Sequence, residues 1–142
     1  MRSTEVLRDL ACQLQALLRI TAGKQHLSST QAQILLILPV DGLPLSVLAQ
    51  RLGLDPSTIS RIVDKMVHKG WIRRETTPED GRISRIIFTH QGYELYLQLT
   101  DSMDAEIQNI LSEISAEQLE KLNQDLEDLA WRLLKHRESK PS

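Results

Sequence analysis

The sequence is poor in the residues that cross-link small proteins or bind metals. Its 142 residues include a single cysteine, Cys12, which excludes an internal disulfide and fits a reducing compartment. Four histidines are scattered along the chain, and neither they nor Cys12 have the spacing of a zinc-binding motif. Aromatic side chains make up only 4% of the sequence. We therefore expect no metal site, and a core filled mainly by leucine and isoleucine.

Long apolar segments and the features of a signal peptide are missing too. The longest apolar run, residues 34–40, is far shorter than the roughly 20 residues that a membrane span needs. The first residues run directly into an amphipathic pattern, without the apolar stretch of a signal peptide. The chain is 41% hydrophobic and 25% charged, which suits one folded domain. These features predict a single cytoplasmic domain over residues 1–142 with no membrane partner.

No arrangement of residues typical of catalysis occurs in the sequence. There is no Gly-x-Ser-x-Gly motif, no phosphate-binding glycine-rich loop and no Cys–His pair at catalytic spacing. Paired carboxylates such as Glu79 and Asp80 lie in a predicted loop or on polar helix faces, outside any apolar cleft. We expect neither an enzyme nor a bound cofactor.

Charge is unevenly distributed along the chain. Residues 51–92 carry eight basic and five acidic side chains, whereas residues 93–142 carry five basic and eleven acidic ones. A polyanion is therefore expected to meet the middle of the chain and to be repelled by its end.

Apolar periodicity predicts helices at both ends of the chain. Leucines spaced by three and four residues form one seam and predict a helix over residues 4 to about 22, ended by Gly23. A second leucine seam, with heptad-like spacing, begins after a Ser-x-x-Gln capping box at 115–118. A similar box at 28–31 begins a mostly apolar central helix. Two leucine seams are more than one subunit can easily cover, so a homodimer is expected, with a monomer as the alternative. The predicted dimerisation residues are Leu7, Leu10, Leu14, Leu119, Leu122, Leu126, Leu129 and Leu133.

The middle of the chain has the pattern of a helix-turn-helix followed by a hairpin. Ser46 is the predicted cap of a short helix that ends at Gly53, and Asp55 and Pro56 begin a second helix that runs to Lys69. Strands over 71–76 and 85–89 flank a predicted loop at 77–84, which makes a two-stranded wing. Thr89 is the predicted cap of the helix that follows. The predicted fold class is therefore mainly α (α+β). A winged helix-turn-helix unit covers residues 28–92, with dimerisation helices over 1–22 and 93–138.

The second helix of this unit has one polar face. On a helical wheel, Ser57, Ser60, Arg61, Asp64, Lys65 and His68 fall opposite or beside the apolar positions. The major groove of double-stranded DNA suits such a face, because hydroxyls can hold phosphates and arginine can bind guanine with two hydrogen bonds. The alternative is an ordinary solvated helix face.

The predicted wing carries further candidates for DNA contact. Arg82 lies two residues after Asp80, whose carboxylate can orient the guanidinium towards a minor groove, and Arg85 on the strand can reach phosphates. The alternative is a solvated turn in which these residues serve backbone geometry alone.

Five segments together resemble the MarR family of bacterial winged-helix transcription regulators. They are LAQRLGL (48–54), DPSTISRIVDKM (55–66), KGWIRR (69–74), PEDGR (78–82) and FTHQG (88–92). The Asp-x-Arg wing followed by an apolar-Thr-x-x-Gly helix start is the most specific part. The resemblance implies a homodimer on a pseudo-palindromic operator, usually a repressor that responds to a small aromatic or lipophilic effector, an oxidant or a metal. It further implies groove contacts by Ser57, Thr58, Ser60 and Arg61, a minor-groove role for Arg82 oriented by Asp80, and a place near phosphate for Ser46.

The signatures of the oxidant- and metal-sensing branches are incomplete in this sequence. Cys12 lies in the first helix without a tyrosine near the start of the second, so we expect it to be a small core residue. His26 and His90 lack further metal ligands nearby. A second functional interpretation is a winged helix that docks on an acidic protein surface and binds duplex only non-specifically.

Overall fold

The computed structural model describes residues 2–77 and 80–139, and the side chains of residues 2–76 and 85–139. These ranges form six helices and three strands, which confirms the predicted mainly α winged fold class. The elements are α1 (Arg2–Lys24), α2 (Ser29–Ile37), β1 (Leu43–Pro44), α3 (Leu45–Leu52), α4 (Pro56–His68), β2 (Ile72–Thr77), β3 (Asp80–Phe88), α5 (His90–Leu111) and α6 (Ala116–Glu138).

The first helix ends later than predicted, and the assignment of Gly23 as its stop is wrong. The helix continues to Lys24, and His26 after it adopts the left-handed conformation, with a φ of 59°. The N–H of Leu27 then donates to the carbonyl of Ala22 at 2.9 Å, which closes the helix end around His26. Gly23 therefore remains inside the helix.

The core surrounds α2, as the sequence predicted. The capping box is present: the Ser28 side chain accepts from the N–H of Gln31, and the Gln31 side chain accepts from the N–H of Ser28. The described core contains aliphatic side chains and one methionine, in agreement with the scarcity of aromatic residues. Its members are Ala22, Leu27, Ala32, Ile34, Leu35, Leu38, Leu48, Ala49, Ile59, Val63, Met66, Ile72, Ile86 and Leu99.

The helix-turn-helix has the predicted turn but a different first cap. Gly53 adopts the left-handed conformation with φ 67°, and Asp55 caps α4 with Pro56 at its first position, as predicted. The N-cap of α3, however, is Pro44, so the prediction that Ser46 caps this helix is wrong. Ser46 lies in the first turn instead. The second helix, α4, ends at His68, one residue before the predicted Lys69.

The wing is a three-stranded antiparallel sheet with strand order β1-β3-β2, instead of the predicted two-stranded hairpin. Leu43 of β1 pairs with Ile86 of β3, so residues 43–44 form an additional edge strand. At Gly42 (φ 80°) a Cβ would come 2.5 Å from the carbonyl oxygen of Ile86, so only glycine permits this close approach. The strand β3 begins at Asp80 and takes up most of the predicted loop.

The start of α5 is joined to the end of the helix-turn-helix through Thr89. Its hydroxyl accepts from the N–H of Gly92 at 3.0 Å, which confirms the predicted cap, and donates to the carbonyl of Gly70 at 2.5 Å. Gly92 lies so close to the Trp71 backbone that a Cβ there would overlap the Trp71 carbonyl. The sheet and α5 are thereby held in a fixed relative position.

The terminal helices lie outside this core. Ser115 caps α6 by accepting from the N–H of Gln118, as predicted, but none of the residues of α6 is fully buried. The predicted seam leucines are all exposed or half-buried. Those more than two-fifths exposed are Leu7, Leu14, Leu126 and Leu133.

None of the helices formed by residues 2–77 and 80–139 combines the length and the hydropathy required to cross a bilayer.

Candidate nucleic-acid interface

The helix α4 presents one face to the core and the other to solvent. Ile59, Val63 and Met66 are fully buried. Ser57 and Arg61, spaced by one helical turn, are exposed on the other side, as the helical wheel predicted. This exposed face is the one that the sequence predicted to meet the major groove of DNA.

Asp55 organises the first turn of α4. Its carboxylate accepts hydrogen bonds from the Ser57 hydroxyl at 2.5 Å, the Thr58 hydroxyl at 2.7 Å and the Thr58 N–H at 3.1 Å. These bonds, the one from Ser57 first, stabilise the ionised form and lower the pKa of Asp55 from 3.8 to about 2.

The same bonds determine what Ser57 and Thr58 offer to a ligand. Each hydroxyl has one proton, and Asp55 takes both. In this arrangement the two oxygens face outwards as acceptors. Amino groups on base edges can donate to such oxygens, whereas phosphate oxygens, which only accept, cannot. This differs from the expectation that the hydroxyls hold phosphates.

Two cations on α4 are available for a ligand. Arg61 and Lys65 are exposed, and neither side chain makes a hydrogen bond or ion pair with the described residues. They line a shallow concavity with Thr58, Ile62 and Asp64. A polyanion would find both charges uncompensated.

Asp64 in this concavity is paired with an arginine of the sheet. The Arg74 guanidinium of β2 donates to the Asp64 carboxylate at 2.5 Å and to the Ser60 hydroxyl oxygen at 3.4 Å. The sequence alone did not predict this bridge, because it joins a helix and a strand through their packing and has no local spacing pattern.

Arg85 has a structural position. Its guanidinium donates to the backbone carbonyls of Asp41 and Gly42 at 3.1 and 3.0 Å, which holds the turn before β1 against β3. We therefore leave Arg85 out of the proposed DNA contacts. The side chains of Asp80 and Arg82 lie outside the described residues, although the backbone places Arg82 within β3 instead of in the predicted loop.

The remaining candidates belong to helices other than α4. Ser46 is exposed in the first turn of α3. Cys12 is exposed on α1, so the expectation of a core cysteine is wrong. His90 pairs with Glu94 one turn along α5, at 3.1 Å. The described His, Cys, Asp and Glu side chains form no group of three that could hold a metal ion.

Comparison with known proteins gives one family. Residues 27–84 match the model of the MarR family. This segment contains α2, the helix-turn-helix and most of the sheet.

Solved structures match the fold over most of the chain. A MarR transcriptional regulator from Methanosarcina mazei Go1 has a TM-score of 0.78 at 21% identity, covering 93% of this chain and 96% of that one. A MarR-family regulator from Silicibacter pomeroyi has a TM-score of 0.73 at 25% identity, covering 89% and 86%. A mutant MarR from E. coli complexed with operator DNA has a TM-score of 0.72 at 18% identity, covering 91% and 94%. The arrangement of six helices and a small antiparallel sheet is therefore that of MarR structures.

Proposed function

We propose that the chain is a homodimeric transcription regulator of the MarR type that binds double-stranded DNA sequence-specifically, because residues 27–84 match the model of the MarR family. The family consists of transcription regulators and not of enzymes, in agreement with the expectation from the sequence.

The observation that carries this proposal is the exposed face of α4. Arg61 and Lys65 are unpaired cations, among the described residues, on a helix whose opposite face is anchored in the core. Arginine can bind the O6 and N7 atoms of guanine with two hydrogen bonds, and the acceptor oxygens of Ser57 and Thr58 suit the amino groups of cytosine or adenine. We assign Arg61, Ser57 and Thr58 to base contacts, and Lys65 to phosphate.

The terminal helices support a dimer. The helix α6 has 23 residues and none of them is fully buried, and leucines of both predicted seams are exposed. A second copy of the chain would cover these seams. A two-fold dimer would also present two α4 helices about 34 Å apart, one turn of duplex, which fits a pseudo-palindromic operator.

The regulatory part of the proposal rests on the resemblance to the family. We propose a repressor that acts on cytoplasmic DNA and is released by a small aromatic or lipophilic effector. Ser46 remains a proposed phosphate contact, with Asp80 and Arg82 as proposed wing contacts.

The test is selection of a duplex from a randomised pool by the full-length protein, followed by affinity measurements on the selected and a shuffled duplex. Arg61→Ala should weaken binding to the selected duplex by about 1–3 kcal/mol and leave the shuffled one nearly unchanged. Lys65→Ala should weaken both alike and reduce the salt slope by about 0.9 for each phosphate that Lys65 neutralises in the wild type.

The control is Lys121→Ala, which removes an exposed lysine of α6, outside the helix-turn-helix. It should change the affinity for neither duplex. Equal affinity of the wild-type protein for selected and shuffled duplexes would refute sequence-specific binding and favour the protein-docking module.

A further inference from the structure

The ion pair between Asp64 and Arg74 lies on the surface that is proposed to meet DNA. We propose that Asp64 limits the affinity for DNA, because it binds the Arg74 guanidinium and so keeps this cation from sequence-independent contact with phosphates. This inference rests on the proposed function and concerns a residue pair that plays no part in base recognition.

The geometry places an acid among cations. Asp64 lines the same concavity as Thr58, Arg61 and Lys65, and its side chain is 65% exposed. An unpaired carboxylate here would repel the phosphates that Arg61 and Lys65 attract. The bond from Arg74 at 2.5 Å removes this repulsion, because the pair carries no net charge.

The pair also has an effect on Arg74. Its side chain is 35% exposed, at the edge of the surface that carries the free cations. Without Asp64, the guanidinium would have only its long contact of 3.4 Å with Ser60 and would be available to a phosphate oxygen. Arginine binds phosphate well because its planar fork matches two oxygens.

The consequence concerns binding to every sequence. A phosphate contact adds to the affinity for any duplex and steepens its dependence on salt. Because non-specific DNA is in great excess over any operator, a masked cation reduces the fraction of protein held on the wrong sites. A rival interpretation is that Arg74 leaves Asp64 on binding and is itself a phosphate ligand.

The experiment measures affinity for a mixed-sequence 30-base-pair duplex over a series of salt concentrations, with the full-length wild type, Asp64→Ala, Arg74→Ala and the double variant. Alanine favours helix at position 64 and exposed pairs contribute little to folding, so all variants should fold. Thermal unfolding checks this, and Asp64→Asn provides a second variant.

We expect Asp64→Ala to bind about three- to tenfold more tightly at low salt, with a slope steeper by about 0.9 for each phosphate that the released Arg74 neutralises. Arg74→Ala alone should weaken binding, because it leaves the Asp64 carboxylate unpaired beside the phosphates. In the Asp64→Ala background, Arg74→Ala should restore the wild-type slope.

Asp128→Ala is the matched control, since it also removes an exposed aspartate paired with an arginine, Arg132 on α6 at 2.8 Å. If it tightens binding as much as Asp64→Ala, the effect is one of net charge and the proposal is overturned. A slope for the double variant that lies below that of the wild type also overturns it, because Arg74 is then a phosphate ligand in the wild type. Sequence-specific function is judged separately, by discrimination between selected and shuffled duplexes, so either idea can fail without the other.

Discussion

The guanidinium of Arg137, in the last turn of α6, donates a hydrogen bond to the backbone carbonyl of Arg51, near the end of α3. The last carbonyls of a helix have no partner within it, so this bond satisfies one of them from a distant element. It joins the C-terminal helix to the helix-turn-helix, beside a groove lined by Val47 and Leu134.

Arg137→Ala should loosen this junction. We expect faster hydrogen exchange of the amides in the last turn of α6 and little change in the core helix α2, because the bond is local and lies at the surface. Hydrogen exchange with mass spectrometry measures this.

Arg132→Ala, which removes a pair within α6 alone, is the control for that experiment. Equal exchange rates in Arg137→Ala and wild type would show that the bond from Arg137 does not hold the two helices together.

Gly92→Ala should be severely destabilising. The new Cβ would overlap the backbone of Trp71, which cannot move without breaking the bond from the N–H of Thr89 to its carbonyl at 3.1 Å. We expect a loss of about 3 kcal/mol or more in the free energy of unfolding, measured by urea denaturation.

Gly23→Ala is the matched substitution, and we expect it to raise the free energy of unfolding, whereas Gly92→Ala should lower it. Apart from the neighbouring backbone of α1 itself, no atom lies within 4 Å of the added Cβ, and the residue is inside α1 with ordinary helical geometry. Alanine should therefore raise stability by about 0.5–1 kcal/mol. Equal losses at both glycines would contradict the steric account of Gly92.

The lowered pKa of Asp55 predicts that the stability of the fold depends on pH in the acid range. Its pKa in the folded protein is about 2, below the ordinary value of 3.8. A carboxyl group whose pKa is lowered by folding stabilises the fold at pH values above its ordinary pKa. This contribution should be lost as the pH falls from about 4 towards 2. An NMR titration of the Asp55 carboxyl should give a midpoint near 2.

Asp55→Ala should lower stability at neutral pH and reduce the loss between about pH 4 and pH 2. Comparison of thermal unfolding at both ends of that window tests this. A stability loss over the window identical to that of the wild type would mean that other carboxylates cause it.

Leu126→Asp combined with Leu133→Asp should convert the proposed dimer into single subunits. Both leucines are exposed in the isolated chain, at 43% and 57%, so the substitutions do not disturb its core. An interface that had to bury two unpaired charges from each subunit would be strongly disfavoured. Sedimentation equilibrium measures the change in mass.

Gln124→Asp introduces the same charge on the other side of α6 and should leave the dimer intact. A wild-type protein that sediments as a single subunit would contradict the proposed assembly directly.

The helix caps and the faces of the helices could be predicted from short stretches of sequence. Ser28, Asp55 and Thr89 cap the helices they were predicted to cap, and Gly53 has the predicted left-handed conformation. These features depend on hydrogen bonds and dihedral angles within a few residues, so the local sequence specifies them. The exposed side of α4 followed from the period of 3.6 residues in the same way.

The third strand, the length of β3 and the partners of the arginines emerged only from the packed fold. The pairing of Leu43 with Ile86 and the bonds of Arg85 to the turn at Gly42 join residues more than 40 positions apart. The bridge from Arg74 to Asp64 likewise requires β2 to pack against α4. Such contacts depend on strand register and on the packing of elements, which spacing along one segment does not encode. The sequence thus identified the face that is proposed to meet DNA, and the fold determined which charges on that face are free.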